Sequence, residues 1–97
     1  MKDRALRNWL LARPNPFRSH LEGYAQEAGR LWALKSITRG EPKEIRLMAF
    51  ERADSAYERL KRHIVTELDA NKIDYHVDQL FMVSIELAEK FYPGGTG

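Results

Sequence analysis

The chain has 97 residues, a net charge of +2 and no cysteine, with 31% charged and 43% hydrophobic residues. This length is enough for one domain with a modest core, and the composition is that of a folded protein, which argues against global disorder. The absence of cysteine excludes disulfides, thiolate metal sites and thiol catalysis, and it suits a reducing compartment, so we expect a cytoplasmic protein.

The charge is unevenly distributed along the chain. Residues 1–40 carry a net +5, whereas residues 41–70 carry −1 and residues 71–97 carry −2. A basic N-terminal third can face phosphates or an acidic protein surface. No apolar run approaches the roughly 20 residues of a membrane span, and we expect neither a span nor a signal peptide.

The first predicted helix is short, covering residues 2–12, with Leu6 and Leu10 on one side. About eleven residues are marginal for an isolated helix, so this one needs tertiary contacts. The segment 13–16, Arg-Pro-Asn-Pro, ends it. Because each proline disfavours helical geometry in the preceding residue, we expect this connector to be extended. Phe17 is predicted to anchor the chain beside it.

The second predicted helix begins at Ser19, which has capping-box spacing to Glu22; Asn15 offers an alternative start one turn earlier. Gly40 is expected to end it as a left-handed cap, and the short loop predicts an antiparallel third helix. Small residues in its stripe should let another helix approach closely. The stripe consists of Leu21, Tyr24, Ala25, Ala28, Gly29, Leu31 and Trp32.

The third predicted helix is the longest and covers residues 42–70, with Pro42 in its first position. Its length would be roughly 43 Å, against a diameter near 32 Å for a compact chain of this size. The helix must therefore bend or project, and a projecting helix offers surface to a partner. Leu47 and Val65 lie beside the main stripe, as ordinary surface residues or as a second contact edge. The predicted inward face holds Ile45, Ala49, Ala53, Ala56, Leu60 and Ile64.

The last predicted helix follows a break at Asn71, the expected left-handed residue, with Asp74 as its cap, and runs to about Phe91. Its apolar residues cover about 200° of the helix surface, which predicts contact on two sides, between other helices or at a homodimer interface. Residues 93–97 are expected to form a mobile tail. Four segments of helical periodicity without strand alternation predict one all-α, four-helix domain over residues 1–92.

Motifs for catalysis or ligand capture are absent from the sequence. The three histidines are predicted on different helices, and the serines have no base at an informative spacing. His63 and Glu67 are one helical turn apart, but two ligands do not complete a metal site. We therefore predict a protein that is not an enzyme and has no cofactor and no metal.

The candidate partner-binding residues combine arginine, aromatic residues and proline in the N-terminal segment. Arginine and tryptophan dominate protein interfaces, although a solvated face, or core packing of Trp9, is the alternative. The Asn15-Pro16 and Tyr92-Pro93 bonds are also candidate substrates for a prolyl isomerase. The same arginines could bind DNA phosphates with salt-sensitive affinity. The set is Arg4, Arg7, Trp9, Arg13, Pro14, Pro16, Phe17 and Arg18.

A resemblance to a known family depends on several features taken together. These are the length, the lack of cysteine, the basic segment at residues 2–18 with Arg-Pro-Asn-Pro-Phe at 13–17, and the long helix at 42–70. The chain resembles the small helical accessory proteins of temperate phages and, more narrowly, the phage anti-RecBCD proteins that modify the host recombination nuclease. This resemblance implies binding to the RecC part of RecBCD and redirected recombination without catalysis.

The charge of the chain agrees with docking on protein. A DNA mimic that blocks the duplex entry needs a strongly acidic surface, and a net charge of +2 has the wrong sign. We therefore expect a non-enzymatic interaction protein that binds and modulates a larger host complex. A small DNA-associated protein that uses the basic N-terminal third is the alternative.

Overall fold

A computed structural model describes residues 2–93, which form four α-helices and no strand. The helices are α1 (Asp3–Leu11), α2 (Phe17–Ser36), α3 (Lys43–Ala70) and α4 (Val77–Phe91). The all-α prediction is confirmed, as are the short first helix and the long third one. None of these helices has the length and apolar character that a membrane span requires. The predicted tail lies outside the described residues except for Pro93.

Helices α2 and α3 form an antiparallel hairpin. Tyr24 of α2 contacts His63 of α3, with ring centroids 5.1 Å apart, and farther along α2, Trp32 contacts Tyr57, with centroids 6.0 Å apart. Residue numbers therefore rise along α2 as they fall along α3. The prediction that a short loop joins antiparallel neighbours is confirmed.

One hydrophobic core joins all four helices. Helix α2 lies at its centre and contacts both α3 and α4, while α1 packs against α4. Small side chains on α2, as predicted, allow α4 to approach closely at Gly29. The buried apolar residues are Leu6, Leu10, Leu21, Ala25, Ala28, Leu31, Ala53, Ala56, Leu60, Ile64, Leu68, Val83, Leu87 and Ala88.

The molecule is elongated, with extents of 45 × 22 × 22 Å and a radius of gyration of 14.1 Å. Helix α3 has 28 residues and spans about 42 Å, so it runs the length of the long axis. Its predicted inward stripe is buried from Ala53 onwards. Ile45, which was also assigned to that stripe, is 44% exposed, and this assignment is wrong because no third helix covers residues 43–48.

The start of α2 follows the earlier of the two predicted positions. The Asn15 Oδ1 atom accepts hydrogen bonds from the backbone N–H of Ser19 (3.1 Å) and from its hydroxyl (2.8 Å). The Ser19 cap is therefore wrong, and the Glu22 carboxylate pairs with Arg18 instead. The extended connector is also wrong at Pro16, which has helical backbone angles and belongs to a turn.

The end of α2 was also predicted wrongly. The helix ends at Ser36, and Gly40 does not have the left-handed conformation expected of it. The Thr38 hydroxyl donates to the Lys35 carbonyl over 2.7 Å, so a side chain satisfies the helix end. A left-handed glycine is not needed where a hydroxyl takes this role. Pro42 precedes α3 as its cap instead of being its first residue.

The turn after α3 has its left-handed residue at Lys72 (φ 56°) and not at Asn71. The Ile73 N–H donates to the Leu68 carbonyl (2.9 Å) and the Lys72 N–H to the Asp69 carbonyl (3.1 Å), which is the Schellman arrangement. Because Ile73 packs against the core, the preceding residue must take the left-handed position.

Helix α4 begins at Val77, and its cap is His76 and not the predicted Asp74. The His76 backbone N–H donates to the Gln79 side chain over 3.0 Å. The prediction of contact on two sides is confirmed in that α4 packs against α1, α2 and α3. Val77, Phe81 and Met82 nevertheless stay exposed.

Candidate functional site

The predicted N-terminal site holds α1 against the rest of the molecule. Arg7 pairs with Glu86 of α4 over 3.3 Å, and the Arg13 Nε atom pairs with Glu67 of α3 over 2.8 Å. The Arg13 guanidinium also lies over the Trp9 ring, 4.6 Å from its centroid. These side chains therefore have partners within the chain, and their binding to another protein stays a prediction.

The aromatic and arginine residues at the start of α2 are engaged in the same way. Phe17 is half-buried and stacks on the His63 ring, with centroids 4.4 Å apart. Arg18 donates to the Leu11 carbonyl over 3.1 Å and lies over the Phe91 ring. These contacts tie the connector after α1 to α3 and α4.

Three members of the predicted set remain on the surface. Arg4, Pro14 and Pro16 are exposed, and the structure does not join them to one another. The Asn15-Pro16 peptide bond is cis. Engagement of a prolyl isomerase at this bond, or at Tyr92-Pro93, stays a prediction.

The histidine and carboxylate that are one turn apart on α3 have separate partners. The His63 Nε2 atom lies 3.2 Å from the Phe17 carbonyl oxygen, while Glu67 binds Arg13. Across residues 2–93, no group of three or more histidine, aspartate or glutamate side chains is placed to hold a metal ion.

The free end of the α2–α3 hairpin carries six of the nine large hydrophobic side chains that are exposed among the described residues. We call residues 34–50 the hairpin end. Ile37 is 75% exposed and Met48 is 63% exposed. Leu34, Ile37, Ile45 and Met48 line one shallow groove, in which Arg52 is the one charged side chain. The sequence predicted a projecting helix and an apolar stripe that begins at Ile45, but it did not predict that this first part of the stripe would be exposed.

The hairpin end also carries a cluster of positive charge on a different part of its surface. A cleft of about 420 Å³ is lined by Lys35, Arg39, Lys43 and Arg46, together with Ser36, Thr38, Leu47 and Phe50. We call this the basic cleft. The turn between α2 and α3 folds two cations back against two others, and no carboxylate lines the cleft.

A second groove lies between α3 and α4. Its floor and walls include Trp32, Phe50, Tyr57 and Phe81, and its volume is about 310 Å³. Trp32, predicted as a core residue, is half-buried here with its ring edge against Tyr57. Burial raises the pKa of Tyr57, and the negative charge of Glu89 raises it further, so the phenol keeps its proton.

The basic cleft was missed by sequence reasoning, because its cations lie on both sides of a predicted turn. Lys35 and Arg39 were counted with the N-terminal third, and Lys43 and Arg46 with a segment of net −1. The available signal was their spacing. Lys35 and Arg39 are four residues apart, and Lys43 and Arg46 are three apart. The turn between the two helices brings both pairs to the same end of the hairpin.

Comparison of this chain with known proteins gives no relative from which a role for either surface could be taken. No family model, curated protein or solved structure matches it.

Proposed function

We propose that this protein is a non-enzymatic interaction protein that binds and modulates a larger protein complex through the hairpin end. The observation that carries the proposal is the exposure of Ile37, Ile45 and Met48 together at one end of the α2–α3 hairpin. Exposed apolar side chains gathered in one patch are typical of surfaces that bind other proteins. Methionine, phenylalanine and arginine, all present here, are also enriched at such interfaces.

The energetic argument depends on how much each side chain still exposes. Complete burial of a leucine, isoleucine, methionine or phenylalanine contributes about 1.5–3 kcal/mol. Side chains that are roughly half exposed therefore retain about 1 kcal/mol or more each for a partner to gain. The hairpin end offers several such side chains within one continuous surface.

The most specific form of the proposal is a phage inhibitor or modulator of the RecBCD helicase–nuclease that acts through RecC in the host cytoplasm. Its support is the resemblance in size, composition and helical character to phage anti-RecBCD proteins. The net charge of +2 adds to it, because this charge suits docking on a protein and not imitation of DNA.

Binding of purified RecBCD to the immobilised chain tests this form, with variants on and off the hairpin end. We expect the Ile45→Glu/Met48→Glu variant to bind about tenfold more weakly or worse, because it places charge in the apolar groove. The control is Val77→Glu, which changes a residue that is 78% exposed on α4 and lines neither the apolar groove nor the basic cleft. The control should bind within about twofold of the parent chain.

Two results would contradict the proposal at different levels. If RecBCD does not bind, the specific form is wrong. The broader form then depends on cross-linking in a bacterial host. The broader form requires a protein that cross-links to the parent chain and to the Val77→Glu variant, but not to the Ile45→Glu/Met48→Glu variant. It fails if there is no such protein.

The second candidate function is DNA binding through the basic N-terminal third. Arg7 and Arg13 there already pair with Glu86 and Glu67, which lowers the positive charge available for phosphates. Retention of duplex DNA at about 0.15 M salt, abolished by neutralising Arg4, Arg7 and Arg13, would favour this candidate. Under the first proposal, isolated DNA is not retained in these conditions.

A further inference from the structure

We propose that the basic cleft recognises an acidic segment of the partner protein, with carboxylates that flank an apolar side chain. This inference rests on the proposed function, because it assigns the chemistry of the surface that docks on the hairpin end. It adds a charge requirement that the exposed apolar side chains do not impose by themselves.

The first support is that the cations of the cleft have no carboxylate partner among the described residues. Within residues 2–93, no ion pair is formed by any of the four, Lys35, Arg39, Lys43 and Arg46. Glu41 and Glu44 are neighbours in sequence, but neither lines the cleft. Several like charges around one concave surface without an internal counter-charge favour an anionic partner.

The second support is that part of the cleft is already ordered. The Lys35 Nζ atom lies 3.9 Å from the centroid of the Trp32 ring and 5.3 Å from that of Phe50. These cation–π contacts restrain the ammonium group beside Phe50, which lines the cleft, and beside Trp32, which lies outside it. A charge held in place loses less conformational entropy when a carboxylate binds it.

The third support distinguishes protein from nucleic acid. Leu47 and Phe50 line the cleft beside the cations, and Met48 and Ile45 are exposed on the same end of α3. Interfaces with DNA are more polar than those between proteins, so a DNA partner offers less apolar surface for large aliphatic side chains to contact. An acidic segment with an apolar residue satisfies both the charged and the apolar parts of this surface.

The probe is a fluorescein-labelled amphipathic peptide whose helical form places glutamates on both sides of a leucine stripe. Its matched control has glutamine at every glutamate position, and a labelled DNA duplex is the third ligand. Anisotropy should show that the glutamate peptide binds about tenfold or more tightly than the glutamine peptide. Its affinity should fall as salt rises from about 0.05 M to about 0.15 M.

Two double variants locate the binding. Arg39→Glu/Arg46→Glu should weaken the glutamate peptide about tenfold or more, because it reverses two charges of the cleft. Arg30→Glu/Arg62→Glu makes the same change of net charge at exposed cations outside the cleft, and it should change affinity by about twofold at most. Circular dichroism of each variant checks that the helices remain.

Several results would overturn the inference. These are no binding of the glutamate peptide at low salt, equal affinity for both peptides, or equal losses in both double variants. Tighter binding of duplex DNA, lost in Arg39→Glu/Arg46→Glu, would make the partner a nucleic acid.

The same variants separate this inference from the function it rests on. If RecBCD binding is lost in Ile45→Glu/Met48→Glu but kept in Arg39→Glu/Arg46→Glu, the acidic partner is wrong and the docking function stands. If neither variant changes RecBCD binding, docking through the hairpin end is itself wrong.

Discussion

Gly29 of α2 and Tyr92, the residue after α4, lie so close that a Cβ atom built on Gly29 would come within 2.7 Å of the Tyr92 Cβ. The same atom would lie 3.0 Å from the Ala88 carbonyl oxygen. The absence of a side chain at Gly29 is therefore what allows α4 to rest directly on α2. This contact joins the end of α4 to the central helix of the core.

We predict that Gly29→Ala destabilises the protein by about 1–3 kcal/mol. Alanine is more favourable than glycine inside a helix by roughly 0.8–1.0 kcal/mol. Here, however, its methyl group would push the Ala88 carbonyl and the Tyr92 Cβ away from α2. Gly23→Ala is the matched control, because Gly23 lies on the same helix and its Cβ would meet nothing within 4 Å. Urea unfolding should show the control to be as stable as the parent chain or up to about 1 kcal/mol more stable. A stabilising Gly29→Ala would show that α4 is free to move away.

A second prediction concerns the ion pair between Arg13 and Glu67. Its atoms are 2.8 Å apart and both side chains are mostly shielded from water. A double-mutant cycle with Arg13→Ala and Glu67→Ala should give a coupling of about 1 kcal/mol. The Arg59–Glu27 pair is longer, at 3.4 Å, and more exposed, so its cycle should give less than about 0.5 kcal/mol. Equal couplings would mean that α1 is not held by this pair.

The helices and most of the core could be predicted from the sequence, because hydrophobic periodicity depends only on local spacing. Leu21, Ala25, Leu60 and Ile64 are buried where that spacing assigns them. The helix ends depend more on tertiary contacts, and several of those predictions failed, although the ends of α3 at Ala70 and of α4 at Phe91 were predicted correctly. Lys72 is left-handed because Ile73 next to it packs in the core, and no local preference of lysine indicates this.

The candidate site was hard to predict for a related reason. Arg7 and Arg13 looked available to a partner because their carboxylates, Glu86 and Glu67, lie 79 and 54 residues away in sequence. The positive charge of the basic cleft was not apparent in the sequence, because acidic residues lie between its cations along the chain and lower the local net charge. In both cases the local charge count was correct, but only the fold decides which charges meet.

A third prediction follows from the uneven burial of α3. Residues 43–48 are all exposed, whereas Ala53, Ala56, Leu60, Ile64 and Leu68 are buried. Backbone amides of residues 47–50 should therefore exchange with solvent about 30–100 times faster than those of residues 60–68, as local opening of the hairpin end costs less than global unfolding. Hydrogen exchange followed by NMR measures this directly. Uniform protection that disappears on dilution would instead indicate that a second copy covers the hairpin end.

A fourth prediction concerns stability at high pH and depends on Tyr57. Burial, followed by the negative charge of Glu89, raises its pKa above the ordinary value of about 10. The folded state therefore holds the phenol proton more tightly than the unfolded state. Tyr57 contributes its full share of stability below about pH 10 and loses it as pH rises through the folded pKa.

The comparison of the parent chain with Tyr57→Phe isolates this contribution from other groups that titrate in the same range. Above about pH 10, the free energy of unfolding should fall more steeply in the parent chain than in the variant, because phenylalanine has no proton to lose. Glu89→Gln should lower the pKa of Tyr57 only in part, since burial is the larger cause and remains. Phenolate absorbance measures that pKa, and unfolding in urea at each pH measures the stability. Parallel curves for the parent chain and Tyr57→Phe would show that the groove between α3 and α4 admits water to this ring.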